Sequence, residues 1–256
     1  MASPSSMLER TVRRVRRIVR PWISRSLTRP SEEHRPEGSL LREVVFGAND
    51  GFVSNVALVS GIAGGTSDPK IILLGGIAGL VAGAISMSLG AYVSTKSERE
   101  FREREEQRER WEVEHMREQE LAETRLIFRL KGITGPLLDE VVAVVSRDQE
   151  QWVKLMMTEE LGFPDQAPRP LLSAMVMGVA FAAAAFFPIA PYLVAEGSAA
   201  LGASLGLTAA ALFGVGALRS RFSTGAVLRK GTEMVVLATV AVVLAYGIGR
   251  LVGVSV

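Results

Sequence analysis

The chain of 256 residues has no cysteine and only two histidines, His34 and His115. Without thiols it has no disulfide, iron–sulfur cluster or thiolate zinc site. Two histidines do not build a His-rich metal centre. A glycine-rich loop ending in Lys-Ser/Thr is also missing, which argues against direct ATP drive. The third scarcity is local. Charge is almost absent from long stretches, although charged residues make up 22% of the chain and hydrophobic ones 48%. The mean hydropathy of +0.25 is unusual for one soluble domain.

What is present is sorted into blocks. The net charge of +2 conceals ten arginines in residues 1–43, against five acidic residues. Residues 94–170 carry thirteen basic against eighteen acidic side chains, and the two flanking regions are nearly uncharged. Five stretches have the length and composition of membrane spans: 44–65, 71–93, 171–195, 199–218 and 234–252. About 20 apolar residues cross a ~30 Å hydrocarbon core as a helix. Buried helices of a large soluble core are the alternative, and five such stretches weigh against it. The sequence therefore predicts an all-α, five-span protein with a three-helix cytoplasmic insert between spans 2 and 3. The organisation is an Arg-rich cytoplasmic arm (1–43), spans 1–2 (44–93), the insert (94–170) and spans 3–5 (171–256). Lys and Arg gather before the first span and in the 219–230 loop, which puts the N-terminus, the insert and that loop in the cytoplasm and the C-terminus outside. No signal peptide is recognisable, and the expected location is the inner (plasma) membrane of a bacterium. Arg10 to Trp22 reads either as a short amphipathic helix on anionic lipid or as a basic tail that enforces topology. A nucleic-acid role is disfavoured because a span follows so closely.

Two residues stand out within the spans. Asp50, flanked by Asn49 and Asn55, is a costly intramembrane carboxylate and so a functional candidate; the alternative is a helix cap near the interface. Met87 lies in a span rich in small residues, where Gly75, Gly79 and Gly83 permit close helix approach. Its thioether could hold a transition metal weakly, although a membrane methionine is more often plain packing.

The insert begins with a stretch, 94–131, that lacks proline and is expected to form one long helix, or two nearly collinear ones, continuing from span 2. Eleven glutamates lie between Glu98 and Glu123. At ~100° per residue, Glu105, Glu109, Glu112, Met116, Glu120 and Glu123 share one narrow face, and no arginine falls on that face between Glu105 and Glu123. The usual reading is a solvated helix with i,i+4 pairs. An unbroken acidic face instead favours a cation that neutralises it. Helices at about 136–146 and 147–161 follow, the second bearing Met156, Met157, Glu159 and Glu160. Folded back on the glutamates, it would combine carboxylates and thioethers, a donor set suited to Fe(II), Mn(II), Co(II) or Zn(II) as bound substrate ions.

Three motifs then converge. GANDGFVSNVALVSGIAGG at 47–65, AGAISMSLGAYVSTKSERE at 82–100 and the ending FSTGAVLRKGTEMVVLATVAVVLAYGIGRLVG resemble the vacuolar iron transporters, the vacuolar iron importers of plants and yeast with their bacterial relatives. The resemblance covers about 44–256. It implies five spans, a homodimer with a pore between protomers, and export of Fe(II), often also Mn(II), from the cytosol in exchange for protons. It also implies a metal path through Asp50 and Met87, and cytoplasmic ligands at Glu109, Glu112, Glu120, Glu123, Met156 and Glu160. The acidic face reaches the first four of those ligands independently. Gly79 stands where some members carry a carboxylate, and the Arg-rich arm is outside the family pattern. On this reading the protein is not an enzyme, has no prosthetic group, and has metal ions, protons, lipid and a second copy of itself as partners. A ferroxidase would need repeated Glu-x-x-His pairs, and Glu112 with His115 is a single candidate. A helical membrane scaffold is the other alternative.

Overall fold

The computed structural model describes residues 37–164, 166–220 and 226–253. The amphipathic segment at 10–22 and part of the 219–230 loop lie outside them. Every regular element among the described residues is helical. They are α1 (Glu37–Gly65), α2 (Pro69–His115), α3 (Arg117–Leu130), α4 (Pro136–Val145), α5 (Gln149–Glu159), α6 (Pro170–Ile189) with a 3-10 turn at Ala190–Leu193, α7 (Gly197–Ser220) and α8 (Val227–Val252). They form two compact units, 97–168 and 37–96 with 169–253.

In the larger unit α1 is the central helix, packed against α6, α7 and α8. Glycines make that possible. A Cβ at Gly47 would lie 2.7 Å from the Met177 carbonyl oxygen on α6, and one at Gly61 would lie 3.2 Å from the Ala245 oxygen on α8. The backbones therefore approach to a distance that side chains would forbid. Four helices, α2, α6 with its 3-10 turn, α7 and α8, are long and apolar enough to cross a membrane. The fully apolar outer faces of α2 and α8 fit lipid: Leu74, Leu89, Val243 and Leu251 are all exposed. Helix α1 has the length but carries Asn49, Asp50, Ser54 and Asn55, which lower its apolarity. Its position among three other helices explains how it tolerates them. The protein is thus a multi-pass membrane protein.

The glycine face of α2 is consumed within the chain. Gly75 sits on Ile62, Gly79 on Leu58 and Asn55, and Gly83 on Phe181. Close approach along this face is therefore between α2 and its own neighbours α1 and α6.

The smaller unit holds the end of α2 with α3, α4 and α5 around an apolar core that includes Val113, Phe128, Val141, Trp152 and Met156. Local chemistry sets its boundaries. Gly135 at φ 68° turns the chain, and Pro136 opens α4 at the position where a missing N–H costs nothing. Asp148 caps α5 by accepting from the N–H groups of Glu150 (3.0 Å) and Gln151 (3.2 Å). Both helices lie within two or three residues of their expected bounds.

The stretch 94–131 departs from expectation. The helix breaks at Met116, whose φ of −120° and ψ of 35° are not helical. Nothing in the local sequence is a helix breaker. The corner serves tertiary packing, since Val113 before it and Phe128 after it are both buried in the same core.

Candidate metal sites

The corner at Met116 creates the first site. In a straight helix the eleven residues from Glu109 to Glu120 would hold their Cα atoms about 16 Å apart. Here one carboxylate oxygen from each of Glu109, Glu112 and Glu120 lies within 4.8 Å of the others. Two collinear helices could not bring them together, so that expectation is corrected. Glu109 and Glu120 are each only 4% exposed, and each has one Oε2 buried without a hydrogen-bond partner. Burial, followed by repulsion from Glu160 and Glu120, pushes the Glu109 carboxyl up to about 7. Burial, with Glu123 and Glu160 adding to it, does the same for Glu120. Glu160 is also raised, by burial and then by Glu123 and Glu112. Five carboxylates, Glu109, Glu112, Glu120, Glu123 and Glu160, are therefore close enough to oppose one another's ionisation. Such a set of buried, unpaired oxygens is chemically suited to a divalent cation.

The acidic face is not free of arginine contacts. Arg108, from the flank, donates to Glu112 at 3.0 Å and approaches Glu105 at 4.0 Å. Arg110 pairs with Glu106 and, across to α5, with Glu150. The long arginine side chain reaches one turn along the helix, which a projection onto a helical wheel does not capture. The two deepest carboxylates, Glu109 and Glu120, have no ion pair among the described residues.

Met156 sits inside the apolar core, fully buried. Its Sδ lies 3.7 Å from Thr124 Oγ1, one turn along α3 from Glu120. Thr124 also donates to the Glu120 carbonyl at 2.7 Å and accepts from Trp152 Nε1 at 2.8 Å. This buried chain of contacts fixes α3 against α5 and so fixes where Glu120 and Glu160 stand. Sequence reasoning missed it, because a lone threonine or tryptophan carries no signal of its partner. His115 stacks on Trp111 with centroids 4.8 Å apart, and its Nδ1 meets the Trp111 carbonyl. It does not join the carboxylates.

The second site is a cavity of about 230 Å³ in the larger unit, lined by both Asp50 and Met87 together with Ser54, Asn55 and Ser86. Two residues distant in sequence thus face one space, α1 supplying the carboxylate and α2 the thioether. Gly79 and Gly83 also line it, and their lack of side chains leaves it open. Asn55, 2% exposed, donates from Nδ2 to the Ala185 carbonyl on α6 at 2.6 Å.

A match to the model of the VIT family spans residues 41–250, most of the chain. The chain belongs to the VIT family. Curated members agree along nearly the full length: a protein named vacuolar iron transporter 1 from Arabidopsis thaliana is 32% identical, with 91% of this chain and 94% of the relative aligned. The vacuolar iron transporter 1 of Oryza sativa subsp. japonica is 29% identical over 90% and 94% of the two chains. The vacuolar iron transporter of Toxoplasma gondii is 31% identical over 90% and 80%. The VIT family is a family of transporters, which removes the ferroxidase alternative. As a VIT-family protein the chain is a membrane transporter rather than an enzyme. Both sites described above fall within the matched region.

Proposed function

We propose that this protein exports divalent transition metal from the cytosol, Fe(II) first and Mn(II) second, in exchange for protons. The observation that carries this reading is the convergence of Glu109, Glu112 and Glu120 with two buried carboxylate oxygens left unpaired. Metal is captured there, with Glu123, Glu160 and Met156 completing the donor set. Asp50 and Met87 pass it through the membrane. All five hydrophobic stretches span, α1 included, since its polar residues line a cavity rather than facing lipid. The functional unit is a homodimer, and its N-terminus and insert face the cytoplasm by the distribution of Lys and Arg. The proposed location is a bacterial inner membrane. The relatives are named for the vacuole, and export from the cytosol is the common direction in either membrane.

Carboxylates whose protons leave only near neutral pH give the exchange a physical basis. A cation entering the cluster displaces protons, and a proton returning displaces the cation. The test is uptake of Fe(II), Mn(II), Co(II) and Zn(II) by proteoliposomes under an imposed pH gradient. Asp50→Asn and Asp50→Ala should stop uptake while the insert still binds metal. Normal uptake by these variants, or uptake indifferent to the gradient, would refute the path or the coupling. A scaffold would bind no metal at all.

A further inference from the structure

Helix α6 carries Pro188 in its interior. Proline has no N–H, so the carbonyl of Ala184 loses its helical donor and the ladder is interrupted at this turn. Two buried side chains from other helices dock there. Ser204 Oγ donates to the Pro188 carbonyl at 2.7 Å, and Asn55 Nδ2 donates to the Ala185 carbonyl at 2.6 Å. The second contact has a consequence for the cavity.

A carbonyl oxygen only accepts, so the end of the Asn55 amide facing Ala185 must be its NH₂. That assignment turns Oδ1 the other way. Oδ1 is buried and has no hydrogen-bond partner. Asn55 lines the same cavity as Asp50 and Met87. The oxygen faces α2 at Gly79, where an added Cβ would come within 3.0 Å of it. An amide oxygen withdrawn from water without a partner costs about 1–3 kcal/mol. The structure holds it there with a short, fixed bond on its other end, which removes most of the freedom it would lose on binding a ligand.

We propose that Asn55 Oδ1 is a third metal donor of the membrane cavity, beside the Asp50 carboxylate and the Met87 thioether, and that the bare backbone at Gly79 is what leaves it accessible. This rests on the reading that the cavity conducts metal. A neutral oxygen replaces part of a cation's hydration without adding charge, so it aids entry without holding the ion as tightly as a second carboxylate would. A fixed hard oxygen opposite a soft sulfur also favours first-row transition metals over Mg(II) and Ca(II), which take oxygen alone.

The competing explanation is that a water molecule satisfies Oδ1, since the cavity is polar and large enough to hold one. The experiment uses the full chain in nanodiscs, with the insert silenced by Glu109→Gln, Glu112→Gln, Glu120→Gln and Glu123→Gln. Mn(II) alone is the probe, and bound ion is counted by its paramagnetic resonance. Asn55→Ala and Gly79→Ala should each weaken Mn(II) binding roughly 10-fold. Asn55→Asp, which keeps an oxygen, should retain it. Thermal midpoints measured alongside identify any variant that has lost its fold, and Gly79→Ala leaves the Asn55–Ala185 bond intact. Unchanged binding in folded Asn55→Ala assigns Oδ1 to water and overturns the proposal. Equal loss in folded Asn55→Ala and Asn55→Asp makes the amide a structural tie only, and overturns it too. Unchanged binding in Gly79→Ala alone overturns the role of Gly79. Asp50→Asn separates the two levels of the argument. If it abolishes binding while the Asn55 variants do not, only this inference falls. If it too leaves binding intact, the cavity is not a metal site.

Discussion

Lowering the pH from 8 to 6 should weaken metal binding at the insert about 100-fold. Glu109 and Glu120 both lose their protons near pH 7 because burial and their acidic neighbours penalise the charged form. Metal binds the carboxylates, not the acids. At pH 8 each group is about 90% ionised, and at pH 6 about 10%, so each contributes a factor of about 10. Two carboxyls with the ordinary value of 4.5 would be ionised throughout this range and contribute almost nothing. At pH 7 both are half protonated, so one bound ion should release about one proton from the pair. Calorimetry with Mn(II) on the purified chain, carrying Asp50→Asn to silence the membrane cavity, measures both quantities. Repeating it in buffers of different ionisation enthalpy yields the proton count. Glu109→Gln with Glu120→Gln should flatten whatever pH dependence remains. An affinity that changes less than about threefold across this range, with no proton release at pH 7, would refute the account of the cluster.

The same carboxyls predict a stability effect of opposite sign. A folded-state value raised from 4.5 to about 7 means that the metal-free fold binds protons more tightly than the unfolded chain. Its stability is complete below about 4.5 and falls as pH rises through 7. Glu109→Gln with Glu120→Gln should therefore raise the thermal midpoint at pH 8, by at most about 3 kcal/mol per carboxyl, and the gain should fade toward pH 5; tryptophan fluorescence would follow the transition. Thr124→Val leaves the Trp152 indole N–H buried without its 2.8 Å acceptor and should cost about 1–3 kcal/mol in denaturant unfolding, with weakened metal binding through the displaced Glu120. Saturating Mn(II) should protect the insert from protease relative to chelator, because a bound cation relieves repulsion among the five carboxylates. Crosslinking that yields only monomers in lipid would count against the homodimer.

The sequence by itself determined the elements and their classes. Uncharged stretches of membrane-spanning length, a proline after Gly135 and an aspartate before Gln149 act locally. Each sets a helix or its end without reference to distant residues, and the observed bounds of α4 and α5 follow from them. The acidic face was legible for the same reason: helical periodicity alone aligns Glu109 with Glu112 and Glu120 with Glu123. Tertiary structure decided what those residues meet. No breaker marks the corner at Met116. It arises because Val113 and Phe128 must both enter one core, and only that bend brings Glu120 beside Glu109. The reach of Arg108 to Glu112 depends on side-chain rotamers rather than on wheel position. The glycines of α2 read equally well as a surface for a second copy or for the chain's own helices, and packing against Ile62, Leu58 and Phe181 took them. Asn55 is one polar residue in an apolar run until the kinked turn of α6 takes its amide nitrogen and turns its oxygen toward Asp50 and Met87. Such pairings join positions far apart in sequence, and their energies depend on distance and burial, which exist only once the chain has folded.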